Sequence, residues 1–175
     1  MKSISSGAMA VTCLLPSKLQ YFNAVKFQSY TASKLAAPDY SPSYWDLKSE
    51  PTTSQFELFS RYDMFTLEDF RELGDYAGSQ GVDFLSTPFD LDIAEGLAEF
   101  VPAFKVASAD LTNVPLVSGL LEFDLPMILS TGAASTQEIL AASELMKNYN
   151  SHAAFLHCVL NYPTQLKNAN ILGIR

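Results

Sequence analysis

Two lysines interrupt short apolar runs, and their surroundings indicate ion-binding chemistry. Lys26 lies within residues 24–30 (AVKFQSY), and Lys105 lies within residues 103–108 (AFKVAS). An ammonium group among apolar side chains is costly unless an anion pairs with it. A bound phosphate or carboxylate is a suitable partner, because each charge-assisted hydrogen bond contributes about 1.5–3 kcal/mol. A neighbouring Asp or Glu, or water at a strand end, is the alternative partner.

Hydroxyl, amide and phenol side chains lie at similar positions, where other apolar runs end. This set comprises Gln28, Ser86, Thr87, Ser108, Ser130, Thr131, Asn161 and Tyr162. Lys26 and Gln28 have the same parity, so both point to one side of their strand, while Val25 and Phe27 point to the other. Ligands of parallel α/β folds bind at the carboxyl ends of the strands. The sequence therefore predicts an anion site at that edge of a sheet.

Familiar phosphate and metal motifs are missing from the sequence. It contains no glycine-rich P-loop or dinucleotide fingerprint, and no pair of His, Cys, Asp or Glu has metal-ligand spacing. The turn at residues 130–132 (STG) offers hydroxyls and backbone N–H groups to an anion, but it also suits an ordinary strand-to-helix turn. His157 lies in an apolar run, for which a structural role is favoured over a functional one.

Short apolar strands alternate with amphipathic helices along the chain. Strands are predicted at 24–30, 82–87, 103–108, 126–130 and 153–158. Helices are predicted at 54–64, from Thr66 to just before Gly81, around 93–100, at 114–123, and from 135 or 136 to 147. The apolar spacing places four side chains of the last helix inward: Ile139, Leu140, Ser143 and Met146. Residues 31–53 are predicted to be a long loop, in which residues 39–46 form either a lid or partner-binding loop or an exposed connection.

This alternation predicts a parallel sheet covered by helices. Both a doubly wound sheet and a (β/α)8 barrel fit it. A complete barrel needs about 250 residues, whereas this chain has 175 residues and five evident strands.

Composition narrows the class of protein. The chain is 48% hydrophobic and 17% charged, which indicates one globular domain rather than a disordered segment. A net charge of -8 disfavours nucleic acid and anionic membranes as partners. Two isolated cysteines, Cys13 and Cys158, fit a reducing compartment, so a cytoplasmic protein is expected. No apolar run has transmembrane length, and residues 8–15 are too short for a convincing secretory signal.

Five strings of residues, taken together and in order, resemble the N-acylneuraminate synthase family, which makes sialic, legionaminic and pseudaminic acids. They are 24–28 (AVKFQ), 84–90 (FLSTPFD), 104–113 (FKVASADLTN), 128–132 (ILSTG) and 156–164 (LHCVLNYPT). The resemblance implies an incomplete (β/α)8 barrel of about five βα units over residues 24–175, preceded by an atypical segment over residues 1–23. It also implies a homodimer.

The implied activity is that of a transferase. Phosphoenolpyruvate condenses with an N-acylated hexose such as N-acetylmannosamine, giving a sialic-type acid and phosphate with the help of Mn or Mg. Carried over by motif, Lys26 and Gln28 reach the reacting centre. Four residues hold the phosphate and carboxylate of phosphoenolpyruvate, namely Thr87, Lys105, Ser108 and Ser130. The resemblance assigns Tyr162 to the sugar.

The sequence also departs from the family pattern. Residues 1–23 contain no Glu or Asp, although family members carry a catalytic Glu in their first strand. The family's metal-binding histidines and its antifreeze-like domain have no counterpart, so the metal ligands are expected outside this chain. Leu160 stands where some members place a polar residue, which leaves the sugar open. We therefore expect the isolated chain to be inactive. The alternatives are another phosphoenolpyruvate-condensing ulosonate synthase or a non-catalytic fragment.

Overall fold

Five parallel strands form a single sheet whose spatial order follows the sequence. The structure is a computed structural model that describes residues 23–40, 42, 43, 45–48, 50–149, 151–161 and 164–174. The strands are β1 (Ala24–Ser29), β2 (Asp83–Pro88), β3 (Phe104–Val106), β4 (Met127–Ser130) and β5 (Ala153–Leu156). Their order is β1-β2-β3-β4-β5. A doubly wound sheet reverses its strand order at a switch point, so this sequential order excludes that architecture.

Helices follow the strands, as the sequence predicts. They are α1 (Ala32–Leu35), α2 (Gln55–Tyr62), α3 (Leu67–Ser79), α4 (Leu91–Ala98), α5 (Val114–Leu121) and α6 (Thr136–Asn148). The short helix α1 corrects the prediction of an unbroken loop over residues 31–53. The backbone N–H of Ala36 donates to the carbonyl of Ala32 and closes this turn at 3.0 Å. No helix in the described ranges combines the length and apolar character needed to cross a membrane.

Local capping explains where the two longest helices begin and end. Thr66 and Asp69 form a reciprocal capping box at the start of α3, and Ser135 and Glu138 form another at α6. Gly81, just beyond α3, has a φ of 71°, a conformation that glycine adopts at little steric cost. The predicted boundaries of these helices are confirmed to within a few residues.

The helices cover one face of the sheet. Apolar strand residues from that face, including Phe27, Phe84, Phe104, Val106, Met127 and Leu129, pack against buried residues of α3 to α6 in one hydrophobic core. Right-handed crossovers between strands in sequential order place every connecting helix on the same side. The opposite face of the sheet carries the alternate side chains of each strand. In a (β/α)8 barrel, side chains in these positions point to the interior of the barrel.

One predicted core residue lies on the surface. Leu140 was expected to face inward, but it is 64% exposed, and Ala142 is buried in its place. The inward stripe of α6 runs through Ile139, Ala142 and Met146, at a spacing of three and four residues. Leu140 follows Ile139 by one residue, a rotation of about 100° that turns it away from the core.

Candidate anion-binding site

The strand register places most of the predicted site residues on the sheet face that no described helix covers, which is called the helix-free face. Gln28 pairs with Thr87, and the neighbouring pair is Lys26 with Leu85. Phe104 pairs with Ser86 on the opposite, helix-covered face. Residues paired in a parallel sheet share a face, and the faces alternate along each strand. The helix-free face therefore carries Lys26, Gln28, Thr87, Lys105 and Ser130.

Lys105 makes its contacts with neutral oxygen atoms. Its Nζ donates to Ser130 Oγ at 2.5 Å and to the backbone carbonyl of Val106 at 2.5 Å. Surface cations behave differently, because Lys34, Arg61, Arg71 and Lys147 all form ion pairs with carboxylates. No carboxylate in the described part of the chain pairs with Lys105 or Lys26. The alternative of a structural lysine paired with a nearby acid is therefore not supported for these two residues.

The protonated forms of Lys105 and Lys26 are both disfavoured by their surroundings. Burial, together with the charge of Lys26, lowers the pKa of Lys105 to about 8, while nearby Cys158 opposes the shift. Partial desolvation also lowers the pKa of Lys26, although its side chain still reaches solvent. A bound anion would offset both the desolvation and the like-charge repulsion. Such an environment is typical of functional sites.

The strand-end hydroxyls differ in whether they already donate their own hydrogen to a protein acceptor. An ammonium group only donates, so Ser130 Oγ accepts from Lys105 and keeps its own hydrogen available. Ser108 Oγ accepts from the backbone N–H of Gly132 at 3.1 Å and likewise keeps its hydrogen. Thr131 Oγ1 instead donates to the carbonyl of Leu156 at 2.9 Å. Ser108 and Ser130 can therefore donate to an anion, whereas Thr131 joins the ends of β4 and β5.

Thr87 and Ser86 are adjacent in β2 but belong to different environments. Thr87 is 2% exposed and stands beside Gln28 on the face that carries the lysines. Ser86 points to the helices, where its Oγ lies 2.7 Å from Ser29 Oγ and both residues are fully buried. Of these two strand-end hydroxyls, only Thr87 lies on the candidate site face.

The region after β5 is only partly described. Tyr162, predicted to contact the sugar, lies outside the described residues. His157 Nε2 lies 2.9 Å from the carbonyl of Ala169, which fits the structural role favoured from sequence. Cys158 lies near the other strand ends, since a Cβ built on Gly132 would be 3.1 Å from Cys158 Cβ.

Asp110 was given no role in the sequence analysis, but its carboxyl group is partly buried beside the strand ends. It ends the 3-10 turn Ser108–Asp110, directly after β3. Its Oδ2 atom is buried and has no hydrogen-bond partner among the residues that the structure describes. Burial raises the pKa of its carboxyl, and a hydrogen bond from Asn113 acts in the opposite direction. The feature of the sequence that could have identified Asp110 is its place two positions after Ser108, at the end of a strand.

The described residues do not fit a metal site. In the parts of the chain that the structure describes, no group of three or more His, Cys, Asp or Glu could hold an ion. The Mn or Mg implied by the resemblance therefore has no ligand set in these ranges. The chemistry of the site rests on lysine, serine, threonine and amide side chains.

The loop after α1 is tied down by Trp45. Its Nε1 donates to the carbonyls of Glu50 and Thr52, each at 3.0 Å. Arg61 Nη1 of α2 lies 3.6 Å from Glu50 Oε1, and this ion pair links the loop to that helix. These contacts hold the later part of the loop against α2.

Comparison with known proteins extends the geometric findings. A sequence model of the NeuB family matches residues 18–175. An uncharacterised protein of Methanocaldococcus jannaschii is 36% identical over 155 residues, which cover 87% of this chain and 42% of that protein. The N,N'-diacetyllegionaminic acid synthase of Legionella pneumophila is 31% identical over 160 residues, with 87% and 45% covered. The chain spans less than half the length of these relatives.

A solved structure has the same fold over most of the chain. The crystal structure of N-acetylneuraminic acid (sialic acid) synthetase from Leptospira borgpetersenii, in complex with citrate, matches with a TM-score of 0.72 and 29% sequence identity. The superposition covers 87% of this chain and 49% of that one.

Proposed function

Because this chain belongs to the NeuB family, we propose that it supplies the phosphoenolpyruvate-binding part of a sialic-type acid synthase. The sequential strands and one-sided helices support five βα units of an incomplete (β/α)8 barrel over residues 24–175. The remaining strands of such a barrel would enclose the face that carries the lysines. Residues 1–23 remain an atypical segment in this proposal.

One observation carries the proposal. Lys26 and Lys105 lie on the same helix-free face without a carboxylate partner among the described residues, and their pKa values are lowered. Phosphoenolpyruvate carries a phosphate and a carboxylate, so it presents two anionic groups to two cations. Lysine suits phosphate as a point charge. Ser108 and Ser130 add neutral donors at adjoining strand ends.

The proposed reaction is a condensation that releases phosphate. Carbon 3 of phosphoenolpyruvate attacks the open-chain aldehyde of an N-acylated hexose such as N-acetylmannosamine. Water adds at carbon 2, and phosphate leaves with cleavage of its bond to that carbon. In this chain, Lys105, Ser108, Ser130 and Thr87 would hold the phosphate and carboxylate. Lys26 and Gln28 would reach the reacting centre.

Several features of the whole enzyme complete the proposal. Tyr162 would contact the sugar, the identity of which stays open. The metal, Mn or Mg, would polarise the aldehyde as a Lewis acid, and its ligands would come from residues other than those described. We further propose a cytoplasmic homodimer. A polypeptide of these 175 residues should bind phosphoenolpyruvate but should not catalyse the condensation.

Calorimetric titration with phosphoenolpyruvate tests this proposal. Lys105→Ala should weaken binding by about tenfold to hundredfold, because a charge-assisted hydrogen bond contributes about 1.5–3 kcal/mol. Lys147→Ala is the matched control, since Lys147 is paired with Glu144 on the surface of α6. Equal affinity of the Lys105 and Lys147 variants would contradict the assignment.

A second result of the same titration would decide against the proposal altogether. If the unmutated chain is folded by circular dichroism but binds no phosphoenolpyruvate at millimolar concentration, the lysine face is not a working anion site. The non-catalytic fragment would then be the better description. Turnover with N-acetylmannosamine and Mn would contradict the expectation that these 175 residues are inactive.

A further inference from the structure

The ends of β3, β4 and β5 meet at Gly132, which lies two residues beyond β4. A Cβ atom built on Gly132 would lie 3.1 Å from Cys158 Cβ, 3.2 Å from Ser108 Oγ and 3.3 Å from the carbonyl carbon of Cys158. These distances are tighter than most contacts of real Cβ atoms. Two of the three neighbours belong to Cys158, and the third is a predicted ligand-binding hydroxyl.

The requirement for glycine comes from space rather than from backbone conformation. Gly81 has a left-handed φ of 71°, whereas Gly132 does not lie in that region. An alanine at position 132 would therefore keep an ordinary backbone but press its methyl group against Ser108 and Cys158. The backbone carbon of Cys158 yields less easily than a flexible side chain, so part of the displacement would pass to Ser108.

The backbone N–H of Gly132 also decides how Ser108 uses its hydroxyl. That N–H donates to Ser108 Oγ at 3.1 Å. A hydroxyl that accepts from an N–H keeps its hydrogen for another acceptor. The neighbouring Thr131 uses both its N–H and its Oγ1 on the carbonyl of Leu156, at 3.2 Å and 2.9 Å. Position 131 is thus fastened to β5, which holds the N–H of Gly132 in place.

We propose that Gly132 is a positioning residue that brings the strand ends together and directs the hydroxyl hydrogen of Ser108 toward a bound anion. This inference rests on the proposed function for the identity of the ligand. The contact between Gly132 and Ser108 is a property of the free protein and can be measured without any ligand.

The first test uses phosphoenolpyruvate binding by the 175-residue chain. Gly132→Ala should weaken binding by about threefold to tenfold, as expected when a charge-assisted hydrogen bond is partly lost. Gly78→Ala is the matched control, since a Cβ there meets nothing within 4 Å, and its affinity should equal that of the unmutated chain. Circular dichroism establishes that both variants are folded.

A double variant separates positioning from a general structural role. If Gly132 acts through Ser108, the double variant Gly132→Ala with Ser108→Ala should bind within about twofold of Ser108→Ala alone, because residues that share one contact are not additive. If the two substitutions instead weaken phosphoenolpyruvate binding independently, so that their fold-changes multiply, the inference is overturned. The proposed function would still stand. Unchanged affinity in Gly132→Ala would overturn it as well.

The second test is free of ligand and does not require Gly132→Ala to fold. Amide hydrogen exchange at Gly132 should become about fivefold to tenfold faster in Ser108→Ala, as expected for a net hydrogen-bond contribution of about 1 kcal/mol. Faster exchange together with no binding of phosphoenolpyruvate would support the contact and overturn the proposed function. Unchanged exchange would overturn the positioning role.

Discussion

At the residue scale, the surroundings of Lys105 link its burial to its chemistry. Its ammonium group has Ser130 Oγ and a backbone carbonyl as acceptors, with Lys26 on the same face of the sheet. Both burial and like-charge repulsion disfavour its charged form. An anion reverses that balance, because it favours the protonated lysine.

This environment predicts a pH dependence for anion binding. The pKa of Lys105 is lowered to about 8, so the free protein loses this cation as the pH rises through that value. The affinity for phosphoenolpyruvate should therefore be constant near pH 7 and should fall above about pH 8. Calorimetry between pH 6.5 and about 9.5 measures the profile. Lys105→Met should bind weakly at every pH, and a decline that persists in this variant would assign the titration to another group.

Asp110 yields a prediction about stability. Its buried Oδ2 atom has no hydrogen-bond partner within the described ranges, and the pKa of its carboxyl is raised. At neutral pH the folded state therefore bears the cost of a buried charge, which the unfolded state does not. Asp110→Asn should increase the free energy of unfolding by about 1 kcal/mol at pH 7. The gain should shrink in acid, as the pH falls toward the ordinary carboxyl pKa.

Urea denaturation of the Asp110→Asn variant measures this gain. Asp124→Asn is the matched control, because Asp124 is exposed and its φ of 53° suits asparagine equally well. A larger gain for the control, or a loss of stability in Asp110→Asn, would contradict the account. Loss of phosphoenolpyruvate binding in a stabilised Asp110→Asn variant would point to a functional carboxyl.

At the element scale, leucine side chains occupy the space beside two helix glycines. A Cβ built on Gly96 of α4 would lie 2.2 Å from a methyl group of Leu67, at the start of α3. In α5, a Cβ on Gly119 would lie 2.6 Å from both methyl groups of Leu91. A methyl group at either position would therefore displace a leucine side chain.

Two glycine-to-alanine substitutions within helices should therefore change the free energy of unfolding in opposite directions. Gly78→Ala in α3 should raise the free energy of unfolding by about 0.5–1 kcal/mol, because alanine is the better helix former and the site is open. Gly96→Ala should lower it, because Leu67 must leave its position against the core. Urea denaturation of both variants tests this, and a stabilised Gly96→Ala would mean that Leu67 moves freely.

At the scale of the whole molecule, exposed apolar side chains are concentrated from the last residue of β5 onward. The exposed large apolar residues of this region are Leu156, Leu160, Leu166, Ile171, Leu172 and Ile174. In the described sheet, β5 is an edge strand with β4 as its neighbour. Exposed edges and apolar patches promote association.

A polypeptide of these 175 residues should therefore self-associate in a concentration-dependent way. The double variant Leu166→Lys with Leu172→Lys should reduce this association, since these side chains are 94% and 82% exposed. The control, Leu140→Lys with Met64→Lys, adds the same charge at positions that are 64% and 66% exposed elsewhere. Sedimentation velocity at several concentrations compares them, and an equal reduction by both would attribute the effect to charge alone.

The sequence by itself determined the alternation of strands and helices, because apolar periodicity and capping residues act over a few neighbouring positions. Thr66, Ser135 and Gly81 marked helix boundaries before any tertiary contact was known. The parity of Lys26 and Gln28 similarly predicted that they share a face, which the register confirms.

Only the tertiary structure decided which architecture these elements form and which groups meet. The strand order that excludes a doubly wound sheet depends on pairing between residues far apart in sequence. The donors left free on Ser108 and Ser130, and the engaged hydroxyl of Thr131, follow from contacts that join three strand ends. Local patterns carry no information about such contacts, because they arise when separate strands are packed side by side.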